Sequence, residues 1–272
     1  MVTRGRELHS LKVTAFRLVV LALALASILS VGCSRPRNEE SGVTTAVPPT
    51  SSTLTVDPST AGAIRGTVTL EGQPPALPPI NMSGEPGCRK LNAGPVIPPE
   101  IITGPSGGLA NVVVYVKSGL GQYGGFKTPK DAVALDQKNC MYDPRVVALM
   151  VNQQLEIHND DATIHNVHAM AKENKEWNKG QRAEGPAIET SFSQPELAIP
   201  FMCNVHPWMR AFVFVFAHPY FEVTSKNGAF ELKGLPPGTY TIETWHERYG
   251  IQDQSVTIGP RETGQVSFRY KS

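Results

Sequence analysis

Cysteine is scarce in this chain, with four in 272 residues, at positions 33, 88, 140 and 203. An iron–sulfur cluster needs about four thiolates of its own, which these cannot spare, and no C-x-x-C-H segment is present to attach a c-type haem. Net charge is also lacking: 25 Lys and Arg stand against 24 Asp and Glu, a balance of +1, which leaves no electrostatic footprint for nucleic acid. Neither G-x-S-x-G nor H-E-x-x-H occurs, so a hydrolase would have no recognisable nucleophile and base. Helical periodicity is missing as well. Only Lys172 to Gly185, rich in Lys, Glu, Asn and Gly, has the composition for one irregular helical turn.

What is present concentrates in two short stretches. Cys203, His206 and Met209 stand at C-x2-H-x2-M spacing in Phe-Met-Cys-Asn-Val-His-Pro-Trp-Met-Arg, and upstream lies Thr163-Ile164-His165-Asn166-Val167-His168. One thiolate, two imidazoles and one thioether form the ligand set of a mononuclear blue-copper centre, a trigonal His2Cys plane with a weak axial methionine. Structural zinc takes Cys, His, Asp or Glu and almost never a thioether. Only one cysteine lies in the loop, which excludes a binuclear centre bridged by two thiolates. The absence of a His-Cys-His cluster excludes a trinuclear oxygen-reducing site.

His-Asn-Val-His after a short polar turn, then Cys-x2-His-Pro-Trp-Met-Arg leading into an apolar strand, resembles the cupredoxins. The short loop is closest to the amicyanin-like members of this plastocyanin-like family. The likeness spans roughly residues 140 to 217. It implies His165, Cys203, His206 and Met209 as copper ligands and Asn166 as a residue hydrogen-bonding across to the cysteine loop, where it would tune the metal. It also implies a His206 ring near the surface under an apolar patch to which Pro207 and Trp208 contribute, the docking place of a redox protein partner. His168 lies three residues from His165, which in an extended strand puts it on the opposite face, and it reads as packing or solvent-facing. His158, His218 and His246 have no Cys or Met beside them and read as structural, with His246-Glu247 at most a local hydrogen-bonded pair. Asp160-Asp161 read as turn residues.

The chain begins like an export signal: Arg4, Arg6, Lys12 and Arg17 precede the apolar run Leu18 to Leu29, which is too short to span a bilayer comfortably. Leu29-Ser30-Val31-Gly32-Cys33 resembles a bacterial lipobox, with Ser30 where leucine is usual. Residues 1–33 are thus expected to be a signal peptide ending in a lipidated Cys33, the membrane anchor of a protein in the cell envelope. With Cys33 on lipid and Cys203 on copper, Cys88 and Cys140 remain as one pair in an oxidising compartment. A disulfide between them is expected to be worth on the order of 4 kcal/mol of chain entropy; the alternative is two buried free thiols. Residues 34–61, rich in Ser, Thr, Pro and Glu, bury too little to order themselves. They read as a disordered tether with a reach of roughly 30 Å.

Beyond the tether the pattern is all-β. Ile64 to Leu70 alternates, Val112 to Val116 is a continuous apolar run, and Val146 to Val151 and Leu155 to Ile157 are short strands. Ala211 to Ala217 is apolar on both faces, as a strand buried on both sides would be. Val223 to Leu232, with Asn227-Gly228 at a tight turn, and Gly234-Leu235-Pro236-Pro237-Gly238-Thr239-Tyr240 resemble the carboxypeptidase regulatory-like, transthyretin-type sandwich. The opening strands of that fold, Ile64 to Gly72 and Asn111 to Val116, lie about a hundred residues earlier. The expected architecture is therefore a cupredoxin Greek-key β-sandwich, residues 126–217, inserted into a discontinuous regulatory-like β-sandwich, residues 62–125 and 218–272. The expected function is electron transfer by a membrane-tethered blue copper protein. Copper scavenging and a metal-free recognition module are the alternatives.

Overall fold

The computed structural model describes residues 53–272. The expected signal peptide, Cys33 and the first part of the tether lie outside the described residues. The fold is all-β. Two strands come first, β1 (Gly62–Glu71) and β2 (Val113–Ser118), separated by a six-residue helix, α1 (Pro86–Leu91). Nine follow: β3 (Val133–Lys138), β4 (Met141–Asp143), β5 (Val146–Met150), β6 (Leu155–Asn159), β7 (His165–Ala169), β8 (Trp177–Gln181), β9 (Ile188–Thr190), β10 (Glu196–Met202) and β11 (Arg210–Phe216). The last are β12 (Phe221–Val223), β13 (Ala229–Leu235), β14 (Gly238–His246), β15 (Gly250–Ile258) and β16 (Thr263–Lys271).

These strands form four sheets, and the alternation of side chains stacks them. One sheet runs β13-β1-β16 and the next β12-β2-β14-β15. Between them lies a core that includes Ile64, Val68, Val114, Leu232, Ile242 and Phe268. The other two sheets run β5-β11-β10-β7-β8 and β4-β3-β6-β9, around a core with Leu135, Ile157, Val167, Phe201 and Val213. Strand β1 pairs antiparallel with β13 and parallel with β16, Ala63 opposite Thr263 through Glu71 opposite Lys271. The stretch after the tether thus shares a sheet with the end of the chain, whereas residues 133–216 supply both sheets of the second pair.

A third apolar layer joins the two pairs. Strand β11 turns Ala211, Val213 and Val215 toward the second core and Phe212, Phe214 and Phe216 toward a seam with Val113, Tyr115, Phe221 and Trp245. Trp245 meets Phe212 and Phe214 with ring centroids 5.0 and 4.9 Å apart, and Tyr115 meets Phe216 at 5.0 Å. This is why β2 and β11 are apolar on both faces: each lines one core and the seam. Beside the seam Arg145 and Glu247 form an ion pair, both side chains less than a tenth exposed.

Three expectations change. Lys172 to Gly185 holds strand β8 rather than a helical turn, because its backbone pairs with β7 from His165–Gln181 to Ala169–Trp177 and Trp177 packs on Phe201. A helix does occur elsewhere, at Pro86–Leu91, too short for any periodicity to register and started by a proline that fits the first turn. The tether, expected over residues 34–61, ends sooner. Leu54 donates its N–H to Gln122 O and accepts from Gly124, and Asp57 Oδ1 accepts from Ser59, so main-chain pairing orders a segment whose composition offers no core.

Candidate metal centre

Strand β7 begins at His165 and β10 ends at Met202, so the two ligand-bearing stretches start from neighbouring strands of one sheet. The seven-residue loop from Cys203 to Met209 is closed by its own backbone: Cys203 N–H donates to Met209 O (3.2 Å) and Met209 N–H to His206 O (2.9 Å). That tight closure is what C-x2-H-x2-M spacing permits. His165, Cys203 and Met209 are fully buried and His206 is 1% exposed.

The structure brings three of the expected ligands together. His165 Nδ1 lies 2.9 Å from His206 Nδ1, and His206 Nδ1 lies 3.7 Å from Cys203 Sγ. Sulfur and nitrogen bound to one ion at about 2.3 and 2.0–2.1 Å would be about 3.7 Å apart across a trigonal angle. The two imidazole nitrogens sit about 0.6 Å closer than such an ion would hold them, at the distance of an N–H···N hydrogen bond. The donor set fits copper. Met209 packs in the same core, beside Cys203.

Asn166 bridges the loops: its Oδ1 accepts the Asn204 N–H at 2.7 Å, its own N–H points at Cys203 Sγ at 3.5 Å, and its Nδ2 is fixed by Asn178. Burial raises the Cys203 pKa, but the hydrogen bond with His165 and the backbone N–H groups of Asn166, His206 and Val205 outweigh it and leave the thiol lowered. A thiolate is the form that binds metal. For His165, burial works against the charged ring, while Asp161 and Cys203 more than reverse it and raise its pKa. For His206, burial followed by the neighbouring His165 lowers it.

Two residues with direct roles here carry no signal in the sequence motif. Asp161 is 1% exposed and is more than a turn residue. Its Oδ2 lies 2.9 Å from His165 Nε2, and its two oxygens accept the N–H groups of Asn139 (2.6 Å) and Cys140 (2.7 Å). Those two residues have φ of 54° and 56°, so consecutive N–H groups converge on the carboxylate as in an anion-binding nest. A charged residue four positions before a histidine was the available clue. Tyr142, also buried, donates to Asn166 O at 2.8 Å and ties β4 to the ligand strand.

Cys88 and Cys140 are joined, S–S 2.09 Å, and the bridge stands next to the site: both sulfurs and a ring nitrogen of His206 lie within 4.8 Å of one another. The docking patch differs from expectation. Pro207 is exposed, but Trp208 is half-buried, its Nε1–H donating to Cys140 O at 3.0 Å. His206 is not at the surface, since Glu85 Oε2 lies 3.6 Å from its outer nitrogen. The exposed apolar side chains beside the ligands are Ile164 and Val205, 57% and 43% accessible.

The remaining histidines among the described residues lie apart from this cluster. His168 pairs with Glu176 at 2.6 Å, partly in solvent. His158 approaches Glu156, and His218 lies 3.0 Å from Val116 O. His246 is fully buried and accepts the Arg248 N–H at Nδ1; Glu247 turns instead to Arg145.

No protein-family model and no curated protein matches the chain. Among solved structures, a mutant of amicyanin in its Cu(I) form is similar at 20% identity, covering 39% of this chain and 99% of that one, with a TM-score of 0.29. A purple cupredoxin from Nitrosopumilus maritimus is similar at 21% identity, over 32% of this chain and all of that one, TM-score 0.27. The copper-containing nitrite reductase of Thermus scotoductus SA-01 is similar at 17% identity and TM-score 0.30, and the match spans 34% of this chain and about a quarter, 24%, of the reductase.

Proposed function

We propose that this chain is a type 1 copper protein that carries single electrons in the cell envelope, held to a membrane through lipid on Cys33. In this reading strands β3 to β11 are the copper-binding unit, set within a host sandwich of the carboxypeptidase regulatory-like kind. One observation carries it: a thiol and two imidazoles from separate loops meet in a buried junction, His165 Nδ1 to His206 Nδ1 at 2.9 Å and His206 Nδ1 to Cys203 Sγ at 3.7 Å. Cys203, His165 and His206, with Met209 from the same loop, would hold the copper, which when bound would supply a one-electron couple between Cu(I) and Cu(II).

The chain's own part is to hold those donors still. Asp161 fixes the outer nitrogen of His165, Asn166 fastens the cysteine loop to β7, and Tyr142 pins the start of β7 from the other sheet. A ligand frame set from outside changes little between oxidation states, which is what electron transfer needs. Both imidazole outer edges are covered, one by Asp161 and the other by Glu85. In this reading the chain is a carrier rather than a catalyst. The redox partner would be a protein meeting the Ile164, Val205 and Pro207 surface through a small interface.

Copper retention without electron exchange is the second reading, favoured by the burial of His206 and by Met170, 38% exposed. Titrating the metal-free protein with Cu(II) is expected to give an intense thiolate-to-copper band at about 600 nm and a reversible one-electron couple. Met209→Gln is expected to keep the copper while shifting both colour and potential. Weak bands with no reversible couple would favour retention, and no binding at all would remove copper from the account.

A further inference from the structure

The edge of His206 is closed by a segment that comes from another part of the molecule. Between β1 and β2, strands of the first two sheets, the chain leaves as a loop whose neck is Ile80 N–H donating to Val96 O at 2.8 Å. Its side chains do not pack on their own sandwich: Met82 and Cys88 are buried in the core that holds Cys203, and Ile80, Leu91 and Val96 lie against it.

Two contacts place this segment against both candidate ligand loops, and two more tie it to the Asn139-Cys140 turn. Glu85 Oε2 is 3.6 Å from His206 Nε2. A Cβ added to Gly87 would stand 3.5 Å from Thr163 Oγ1, two residues before His165. Asn92 Nδ2 donates to Asn139 O (3.1 Å) and to Cys88 O (2.9 Å). The covalent fastening is Cys88–Cys140, and Cys140 is itself held by Asp161. A segment that leaves its own sandwich has little to keep it in place without such ties.

We propose that Ile80–Val96 is a strap over the metal centre, latched by the Cys88–Cys140 disulfide, and that metal ions and small exogenous ligands reach His206 and Cys203 only when it lifts. This rests on the copper reading for the nature of the ion, but not for the barrier itself. The strap makes the centre selective for electrons, which pass through packed side chains, over ligands, which need an opening. The host sandwich thereby supplies the access control of the metal unit.

The barrier can be read without metal. In the metal-free full chain, the alkylation of Cys203 by iodoacetamide is followed by peptide mass spectrometry, which separates it from Cys33. Unlatching by Cys88→Ser with Cys140→Ser is expected to accelerate modification of Cys203 on the order of tenfold or more, and Asn92→Ala, with the disulfide intact, by a smaller factor. In the copper-loaded protein the same variants are expected to lose Cu(I) to bicinchoninate faster, in the same order. If the serine variant has no cooperative urea transition, Asn92→Ala decides. Equal alkylation rates in the wild type and in whichever variant folds would overturn the strap. Failure of copper to bind, with alkylation still latch-dependent, would overturn the ion's identity and leave the strap standing.

Discussion

Replacing Asp161 by alanine is expected to remove about 3–5 kcal/mol from the stability of the metal-free protein, measured as a shift in the urea midpoint. The carboxylate accepts from three directions, His165 Nε2 and the N–H groups of Asn139 and Cys140, at a residue 1% exposed. Burial raises its pKa, yet these bonds together hold it below the usual carboxylate range, so the ionised form is the one the fold stabilises. Alanine leaves three donors without an acceptor, and the two that belong to buried residues, His165 and Cys140, cost about 1–3 kcal/mol each. Two of the three belong to residues with positive φ, a backbone the turn has reason to adopt only while its amides have the anion. Asp161→Asn retains one oxygen but presents an N–H group to a neighbour that donates, and is expected to fall between. In the copper-loaded protein, both variants are expected to move the reduction potential, because the outer nitrogen of a ligating histidine sets its basicity. An asparagine variant with wild-type stability and potential would reduce Asp161 to a turn residue.

The second large effect is a dependence on pH that originates outside the candidate metal centre. His246 is fully buried and packs against Tyr249 and Tyr270, its Nδ1 accepts the Arg248 N–H, and its Nε2 has no hydrogen-bond partner. Burial, and then repulsion from Arg145, depress its pKa from 6.5 to about 4. Between those values the unfolded chain takes up a proton that the folded chain refuses. Stability therefore falls as pH drops from 6.5 toward 4, by roughly 3 kcal/mol in all, and is fully present above 6.5. His246→Gln keeps an acceptor for the Arg248 N–H and cannot titrate. The difference between its urea midpoint and that of the wild type is expected to shrink or reverse as the pH is lowered through this window. A constant difference from pH 7 to pH 4.5 would place the titration elsewhere.

The two stretches proposed to hold copper stand out in the sequence because their chemistry is local: a thiol, an imidazole and a thioether within seven residues narrow the metals they could hold before any fold is known. The same holds for the strands, where β1 alternates and β11 is apolar on both faces. What lay beyond reach was set by contacts distant in the chain. Asp161 reads as a turn residue until Asn139 and Cys140 are seen folding back onto it. His206 reads as a surface port until Glu85, 121 positions earlier in the sequence, is found above it. Likewise β8 has loop composition and becomes a strand by pairing with β7, and the two-sided apolarity of β11 reveals burial without naming the second partner, the aromatic layer with Trp245.

That aromatic layer governs how the particle moves. Rings from β2, β11 and β14 interlock, and Arg145–Glu247 clamps the margin, so a swing of either half would have to break this buried packing. Residues 53–272 should consequently reorient in solution as one rigid body, with amides of β7 and β16 reporting a single rotational correlation time. Any search for a partner is then made by the whole particle turning, never by strands β3 to β11 alone.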